Sequence, residues 1–478
     1  MNRVVWREAR RSGALARRLV NSAVGWSLAL NFLRLASGVL LLPLLLRLLP
    51  KPDLGMYYVF LSLNAIVVVL DLGFSPTVGR FVNYAMGGAR KLSAHGLSDE
   101  LPHGAPNYPL LWELLTTARV FYGYVVVGTL VLLGGFGSFM VAQKAAETSS
   151  LHLTWAAWGV SVAAVAAETY FNVWNIFLRN LNQVVAASRI TVIAYAFRLA
   201  VACGLLLCGG GLLSLPAASL VTSVIIRNLS RQGCLRVLSA CPPPGKVNWR
   251  AHFRTIWPNS WRLGLYFGGA YLSANANVLL CSTAFGLEAN ASYGLSLQIV
   301  SIISNMAAVW TSVKWPLVGQ LVAHKEIVKV RQVLWPRLAL QICTFLGLAA
   351  GAVTLGPTLI HVIGSDKEML PLSWMVLMTL NGLLDGHCTV WNTLISLWNR
   401  LPMLWPSLAT NVAGLALNLI LIRLPNAQPG FLVLGPLLAS AALNYWFWPN
   451  HGARTLDMSW FQFVRDGFRR EGAEAGRG

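Results

Sequence analysis

Long apolar stretches alternate with short polar segments along almost the whole chain. A helix needs roughly 20 mostly apolar residues to cross a bilayer, and twelve stretches approach or exceed that length. Their bounds are 22–46, 56–80, 114–141, 153–178, 187–208, 212–233, 261–284, 290–313, 334–356, 370–398, 403–423 and 431–448. Because a helix satisfies its own backbone groups in lipid, the pattern predicts an all-α polytopic membrane protein with about twelve transmembrane helices.

The composition agrees with this interpretation. Of the 478 residues, 56% are apolar and 11% are charged, whereas a soluble domain carries about 25% charged residues. So few charges could not cover the surface of a soluble protein. The seven cysteines include no C-x-x-C pair, and most of them fall inside the apolar stretches, so we interpret them as small packing residues.

The distribution of basic residues predicts the orientation of the helices. The chain has 37 Lys and Arg against 17 Asp and Glu, a net charge of +20. With the N-terminus placed in the cytoplasm, 28 of the 37 basic residues fall on inner segments and five on outer ones. Basic residues accumulate on the cytoplasmic side of membrane proteins, so we expect both termini inside and a location in the cytoplasmic (inner) membrane. The same distribution explains the charge without a nucleic-acid partner.

An even number of spans allows two six-helix halves. The predicted organisation is a basic interfacial segment over 1–21, a first half over 22–233, a basic linker over 234–260, a second half over 261–448 and a cytoplasmic tail over 449–478. Two interpretations of the first segment stay open: an interfacial helix on anionic lipid, and a basic anchor that only sets the topology. We expect no cleavable signal peptide, because the apolar stretch that follows is too long.

Five ionisable residues lie near the midpoints of predicted spans. They are Arg34, Asp71, Glu168, Arg198 and Asp385. A charged group at the bilayer centre costs about 2.5–3.5 kcal/mol on insertion scales, so each should face the bundle interior, a partner or water. Functional use and structural ion pairing between helices both satisfy that condition.

Polar residues also recur on single faces of many predicted helices. On the tenth span, for example, Asn381, Asp385, Cys388 and Asn392 follow helical spacing. Isolated polar residues are enough to hold membrane helices together. Polar rows on the faces of this many helices therefore favour a hydrophilic cavity that binds a polar solute over tight polar packing between helices.

Two neighbouring stretches near the first two spans are LLPLLLRLLPKPDLGMYYVFLSL and LDLGFSPTVGRFVNYAMGG. They contain the spaced residues Leu48, Pro50, Gly55, Tyr57, Asp71, Gly73 and Arg80. This pattern resembles the start of the polysaccharide transporters of the MOP superfamily, the Wzx-like oligosaccharide-lipid flippases. A third stretch, which begins at Trp257 with WPNSWRLGLYFGGAYLSANANVLL, is similar to the opening of that family's second half.

The resemblance implies a flippase for an undecaprenyl-pyrophosphate-linked oligosaccharide. Such a protein works by alternating access in the synthesis of cell-surface polysaccharide or O-antigen, with substrate between the halves near mid-membrane. It implies no enzymatic activity and no cofactor. It also implies a polysaccharide polymerase or ligase and chain-length machinery as partners, besides the lipid-linked glycan and membrane lipid.

Arginine suits a pyrophosphate ligand because it stays charged and offers a planar set of donors. On the implied function, we expect Arg34 and Arg198 to bind pyrophosphate near the midplane. The expected cytoplasmic-side arginines are Arg80, Arg119 and Arg262. The expected sugar-binding residues are Asn31, Asn172, Asn275 and Asn392.

Three carboxylates are candidates for coupling transport to H⁺ or Na⁺. A poorly solvated carboxylate can load and release a proton, which makes Asp71, Glu168 and Asp385 the candidates. They could instead bind Na⁺ with Asn oxygens, or neutralise Arg34 and Arg198, and the substrate gradient alone could drive flipping. His387 is a further candidate for a proton relay with Asp385, although it lies on a different helix face.

Three other classes of protein compete with the flippase. A MATE-like antiporter of cationic compounds should favour an acidic cavity. A membrane glycosyltransferase or O-antigen ligase usually has a substantial outer loop with catalytic acids, and the outer loops here are short. A non-transporting scaffold would have no use for five midspan charges. There is no Walker-type phosphate loop, so we expect no ATP hydrolysis.

Overall fold

The computed structural model of the protein describes residues 26, 33, 38, 40–89, 105–242, 245, 247–398 and 402–466. Two predicted site residues, Asn31 and Arg34, lie outside this part of the chain. The described part contains helices, turns and bends, and no β-strand.

The helices of the N-terminal part follow one another with short connections. Residues 40–48 are helical. The next helices are α1 (Lys51–Asn64), α2 (Val67–Leu70), α3 (Phe74–Met86), α4 (Tyr108–Leu132), α5 (Ser138–Ala142), α6 (Leu151–Asn180), α7 (Val184–Leu207) and α8 (Ser214–Leu238). A π-helical turn covers Leu133–Gly137, and 3-10 turns cover Ala145–Glu147 and Gly211–Leu213.

The C-terminal part continues in the same way. Its helices are α9 (Trp249–Ala274), α10 (Ala276–Ser312), α11 (Trp315–Ala323), α12 (Ile327–Val362), α13 (Leu372–Ser396), α14 (Leu404–Leu421), α15 (Leu434–Ala442) and α16 (Asn444–Arg454). A 3-10 turn covers Pro429–Val433. Residues 460–466 form one more helical segment.

Eight helical segments of the described residues are long and apolar enough to cross a membrane, which confirms an all-α polytopic membrane protein. They are Lys51–Leu70, Tyr108–Ala142, Val184–Leu207, Gly211–Leu238, Ala276–Ser312, Ile327–Val362, Leu404–Leu421 and Pro429–Arg454. The long helices α6, α9 and α13 are not among these eight. Glu168 lies on α6, and Asp385 lies on α13.

The second predicted span, 56–80, is interrupted. Leu72 and Gly73 have left-handed backbone angles, with φ of 50° and 67°, so α2 and α3 cannot be one continuous helix. The side chain of Asp71 accepts hydrogen bonds from the Ser75 amide at 3.2 Å and the Ser75 hydroxyl at 2.8 Å. These bonds satisfy a backbone donor at the start of α3 that has no partner within the helix.

The seventh and eighth predicted spans are divided differently from the prediction. A break at Asn275 separates α9 from α10, inside the predicted span 261–284. Helix α10 then kinks at Gly286, whose φ of 85° and ψ of 175° are a conformation reserved for glycine. Hydropathy alone cannot locate such breaks, since the flanking residues are apolar on both sides.

The chain forms two compact units. Unit 1 comprises the described residues of Met1–Leu49 and Leu63–Phe267, and unit 2 comprises those of Pro50–Ser62 and Gly268–Gly478. Most of α1 therefore packs with helices that lie more than 200 residues later in the chain. There Tyr58 donates a hydrogen bond to Gln298 Oε1 at 2.7 Å.

Each unit has its own apolar core. In unit 1, Phe74 of α3 stacks on Phe121 of α4 with ring centroids 3.8 Å apart. In unit 2, Trp391 of α13 packs with Leu334 of α12 and with Phe463. These cores fix the helices that carry the polar residues described below.

The close packing of α1 in unit 2 generates a test. A Cβ atom at Gly55 would overlap the backbone carbonyl of Leu287, so Gly55→Ala should lower stability by about 1–3 kcal/mol, as expected for overpacking. Gly347→Ala in α12 is the matched control, because a Cβ there meets no atom within 4 Å. Thermal unfolding in one detergent should show a lower Tm for Gly55→Ala alone, and equal Tm values would contradict this packing.

Candidate functional site

Two arginines from different helices of unit 1 approach one buried indole. Trp174 of α6 is 6% exposed. The guanidinium carbon of Arg119 on α4 lies 5.7 Å from the centroid of its ring, and that of Arg231 on α8 lies 5.9 Å away. Both distances fall within the roughly 6 Å range of cation–π attraction.

A third cation extends this arrangement by one helical turn. Arg227 lies four residues before Arg231 on α8, and its guanidinium carbon is 4.9 Å from the ring centroid of Phe171. Phe171 lies three residues before Trp174, so helical spacing places both rings on one side of α6. We refer to Arg119, Arg227 and Arg231 with these two rings as the arginine cluster.

Contacts between α6 and α8 hold the cluster in place. The thiol of Cys234, buried on α8, donates to the backbone carbonyl of Trp174 at 3.1 Å. One residue earlier, Gly233 permits a close approach, because a Cβ there would lie 2.9 Å from the Leu178 side chain. Both aromatic rings and two of the three cations, Arg227 and Arg231, are therefore carried by two tightly packed helices.

The cluster carries positive charge that no carboxylate neutralises within the described part of the chain. No ion pair between described residues includes any of its three arginines. Arg227 has only the neutral amide oxygen of Asn228 at 3.4 Å. Because guanidinium groups do not deprotonate in proteins, the cluster is suited to an anion that accepts several charged hydrogen bonds, such as a phosphate.

The other predicted pyrophosphate residues lie apart from this cluster. Arg198 is half-buried on α7, beside the Tyr195 ring at 5.9 Å, and Arg262 is exposed beside the Trp261 ring at 5.7 Å. Arg80 is exposed on α3. Among the described residues, no hydrogen bond, ion pair or ring contact joins these three to the cluster, so only Arg119 of the described set belongs to it.

Sequence reasoning missed Arg227 and Arg231 because it assigned both to cytoplasmic charge. The available signal was their spacing of four residues, which places both on one face of a helix. A second signal was the aromatic pair Phe171 and Trp174, three residues apart on α6. Neither signal reveals which helix lies opposite, so the pairing itself required the fold.

None of the three candidate coupling carboxylates has an ion pair with a described arginine. Asp71 accepts hydrogen bonds from Ser75 and from the Tyr122 hydroxyl at 2.6 Å. Glu168 is exposed on α6. Among the described residues, neither carboxylate neutralises Arg198, and Asp71 serves the junction between α2 and α3.

Unit 2 contains a polar cavity of about 490 Å³. Its hydroxyl and amide groups come mainly from one stripe on α10 and one on α13, with further residues from α12 and the 3-10 turn before α15. The polar residues of the two stripes are Ser301, Ser304, Asn305, Thr311, Ser312, Asn381, Asp385, Thr389 and Thr393. The described residues that line the cavity include one carboxylate and no Lys, Arg or His.

Asp385 lies in a hydrogen-bonded group at the cavity wall. The Tyr445 hydroxyl of α16 is 2.8 Å from the Asp385 carboxylate and 2.8 Å from the Asn381 amide oxygen. The Asn381 amide nitrogen donates to the other Asp385 oxygen at 3.2 Å. These two donors therefore hydrogen-bond both oxygens of the Asp385 carboxylate at the cavity wall.

His387 belongs to an aromatic cluster rather than to this group. The indole N–H groups of Trp391 and Trp460 both donate to His387 Nε2, at 3.1 and 3.2 Å. That nitrogen therefore has no proton, and no hydrogen bond among the described residues joins His387 to Asp385. This arrangement does not favour the proton relay considered from the sequence.

The three predicted sugar-binding residues that the structure describes are not among those that line this cavity. Asn172 is exposed on α6, and Asn275 immediately precedes α10. Asn392 donates to Cys388 Sγ at 3.5 Å, and that thiol faces the Asn444 carbonyl. The stripe that lines the cavity is 381, 385, 389 and 393, so helical spacing assigned Cys388 and Asn392 to the wrong side of Asp385.

Comparison with solved structures shows the class of fold. The alignment with an inward-facing multidrug resistance MATE family transporter of the MOP superfamily covers 90% of this chain and 94% of that transporter, with a TM-score of 0.62 and 15% identity. The alignment with the lipid II flippase MurJ, in an inward closed conformation, covers 93% of this chain and 91% of MurJ, with a TM-score of 0.62 and 9% identity. The alignment with a MOP superfamily transporter from Pyrococcus furiosus covers 92% of this chain and 98% of that transporter, with a TM-score of 0.56 and 15% identity.

These structures have in common an all-α membrane-transporter fold, and this chain has the same fold. Identities this low show the fold alone. No family model matches the sequence, and no curated protein matches it. The expected membership of the Wzx-like polysaccharide family therefore stays a prediction.

The hydrogen-bonded group at Asp385 generates a second test. Tyr445→Phe removes a hydroxyl that lies 2.8 Å from both an Asp385 oxygen and Asn381 Oδ1, and a hydrogen bond to a charged group contributes about 1.5–3 kcal/mol. Tyr124→Phe is the matched control, because that side chain is 63% exposed. We expect thermal unfolding to show a lower Tm for Tyr445→Phe only, whereas equal Tm values would show that the group adds no stability.

Proposed function

We propose that the protein is a flippase that translocates a polyprenyl-pyrophosphate-linked oligosaccharide across the cytoplasmic membrane. The arginine cluster of unit 1 is the observation that carries this proposal. Three cations on two helices share two aromatic faces, and none has a carboxylate partner among the described residues. A neutral or cationic substrate would leave such a cluster without use.

A lipid pyrophosphate is the anion that this geometry fits best. It carries several oxygens within a few ångströms, so guanidinium groups from α4 and α8 could bind it together with planar, charge-assisted hydrogen bonds. The indole between Arg119 and Arg231 stabilises both cations when no ligand is bound. The polyprenyl chain would remain in the surrounding lipid while the headgroup binds.

The predicted topology places the cluster on the side where such a substrate is made. Arg119 lies near the start of the third predicted span, Trp174 near the end of the fourth, and Arg227 and Arg231 near the end of the sixth. With the N-terminus inside, all three positions lie towards the cytoplasm. The cluster would therefore receive a headgroup that arrives from the cytoplasmic leaflet.

The fold comparison supports this proposal at the level of mechanism. The lipid II flippase MurJ has the same fold, so the architecture is compatible with moving a lipid-linked headgroup. Alternating access, the identity of the glycan and partners such as a polymerase or ligase remain part of the proposal. Asp385 is the coupling carboxylate that we favour, because it lines a cavity.

A MATE-like antiporter of cationic compounds is the second candidate. The MATE transporters share this fold to the same degree. The cavity of unit 2 favours this candidate, since its described lining residues include Asp385 and no basic side chain. The two candidates differ in which unit contains the residues that determine transport.

A transport assay with matched arginine variants tests the proposal. The assay measures flipping of a fluorescent polyprenyl-pyrophosphate-linked sugar in proteoliposomes. The double variant Arg119→Ala/Arg231→Ala should flip about 10- to 100-fold more slowly, because a hydrogen bond to a charged group contributes about 1.5–3 kcal/mol. The control is Arg236→Ala, an exposed arginine in the last turn of α8 that has no ring contact.

Two outcomes would contradict the flippase. One is normal flipping by the double variant. The other is efflux of a cationic dye that depends on Asp385 but not on the cluster, which would support the antiporter. Loss of flipping in Arg236→Ala as well would show that general surface charge, rather than the cluster, determines the rate.

A further inference from the structure

The cavity of unit 2 has the size of a small-molecule site. Its volume of about 490 Å³ falls within the roughly 300–1,000 Å³ typical of such sites. A single dehydrated metal ion would fill only a small part of it. The occupant should therefore be a molecule that uses much of the wall.

The polar groups of the wall are mostly hydroxyls and amides. Ser301 and Asn305 are exposed to the cavity from α10, and Thr389 is exposed from α13. A hydroxyl donates one hydrogen bond and accepts others, and an amide offers a donor group and an acceptor group. A wall of such groups complements a ligand that is itself rich in hydroxyls.

The carboxylate at the wall is arranged for hydroxyl groups rather than for a metal ion. Tyr445 and Asn381 already direct donors at the two oxygens of Asp385, whereas a cation site gathers acceptor oxygens around one point. No group of three or more His, Cys, Asp or Glu residues among the described residues could hold a metal ion. An ionised carboxylate still has lone pairs left for further donors.

Aromatic side chains complete the lining. Trp315 begins α11 and is half-buried, and Tyr293 on α10 is 3% exposed. Apolar and aromatic surface with a few placed polar groups is the usual composition of a ligand site. The C–H faces of a sugar ring would pack against such surface while its hydroxyls bind the polar stripes.

We propose that the unit 2 cavity is a binding site for a neutral sugar ring. Asp385 and Asn305 on opposite helices hydrogen-bond its hydroxyls, and Trp315 packs against its apolar face. That the ring belongs to the glycan of a lipid-linked substrate rests on the proposed function. The binding of a free sugar does not rest on it.

Saturation-transfer difference NMR on the full chain tests this site. The protein is placed in lipid nanodiscs, because detergents with sugar headgroups would compete. The probes are methyl α-D-glucopyranoside, methyl α-D-galactopyranoside and N-acetylglucosamine. At least one should receive saturation from the wild-type protein, and Asn305→Ala should reduce that signal about fivefold or more, which corresponds to the loss of about one hydrogen bond.

Two further variants complete the test. Ala308→Phe should abolish the signal, because Ala308 lines the cavity and a ring there would fill it. Thr283→Val is the matched control: this exposed hydroxyl on α10 does not line the cavity and bonds only to its own helix. If Ala308→Phe fails to fold, Asn305→Ala still tests the site, because the Asn305 side chain is exposed and its removal should not disturb folding.

Several outcomes would overturn the inference. These are no saturation of any probe by the wild-type protein, or equal signals from wild type and Asn305→Ala. Sodium binding that requires Asp385, without any sugar signal, would show an ion site instead. Failure of the inference is distinguishable from failure of the flippase, because the Arg119→Ala/Arg231→Ala variant should keep sugar binding while it loses flipping.

Discussion

The high cost of a charge without a partner in the membrane is the constraint on which the functional interpretation depends. In unit 1, two guanidinium groups meet that constraint by sharing the faces of Trp174, and a third lies over Phe171. An aromatic face stabilises a cation without neutralising it. The charge therefore remains available to an incoming anion, which a salt bridge would not allow.

The two units differ in chemistry. Unit 1 presents cations on aromatic rings, while the cavity of unit 2 presents hydroxyls, amides and one carboxylate whose oxygens are hydrogen-bonded. A lipid-linked glycan has both kinds of group, an anionic pyrophosphate and neutral sugars. MATE transporters and MurJ share this fold, so the proposed substrate depends on these side chains rather than on the helical framework.

Much of the architecture was predictable from sequence, because bilayer thickness and backbone hydrogen bonding leave few alternatives. The helix breaks were not, since those at Gly73 and Gly286 depend on backbone angles that a hydropathy profile does not contain. For the site, the sequence indicated Arg119 and Asp385 as ionisable groups within spans. It could not indicate that Arg119 and Arg231 approach the same indole, because these two residues lie more than 100 positions apart on different helices.

The central claim is that the arginine cluster recognises a pyrophosphate, and native mass spectrometry of the purified protein measures this directly. Undecaprenyl pyrophosphate and undecaprenol share the same hydrocarbon chain and differ only in the headgroup. The wild-type protein should retain the pyrophosphate lipid in clear preference to the alcohol, and Arg119→Ala/Arg231→Ala should remove that preference. Equal retention of the two lipids by the wild-type protein, or an unchanged preference in the double variant, would contradict the account.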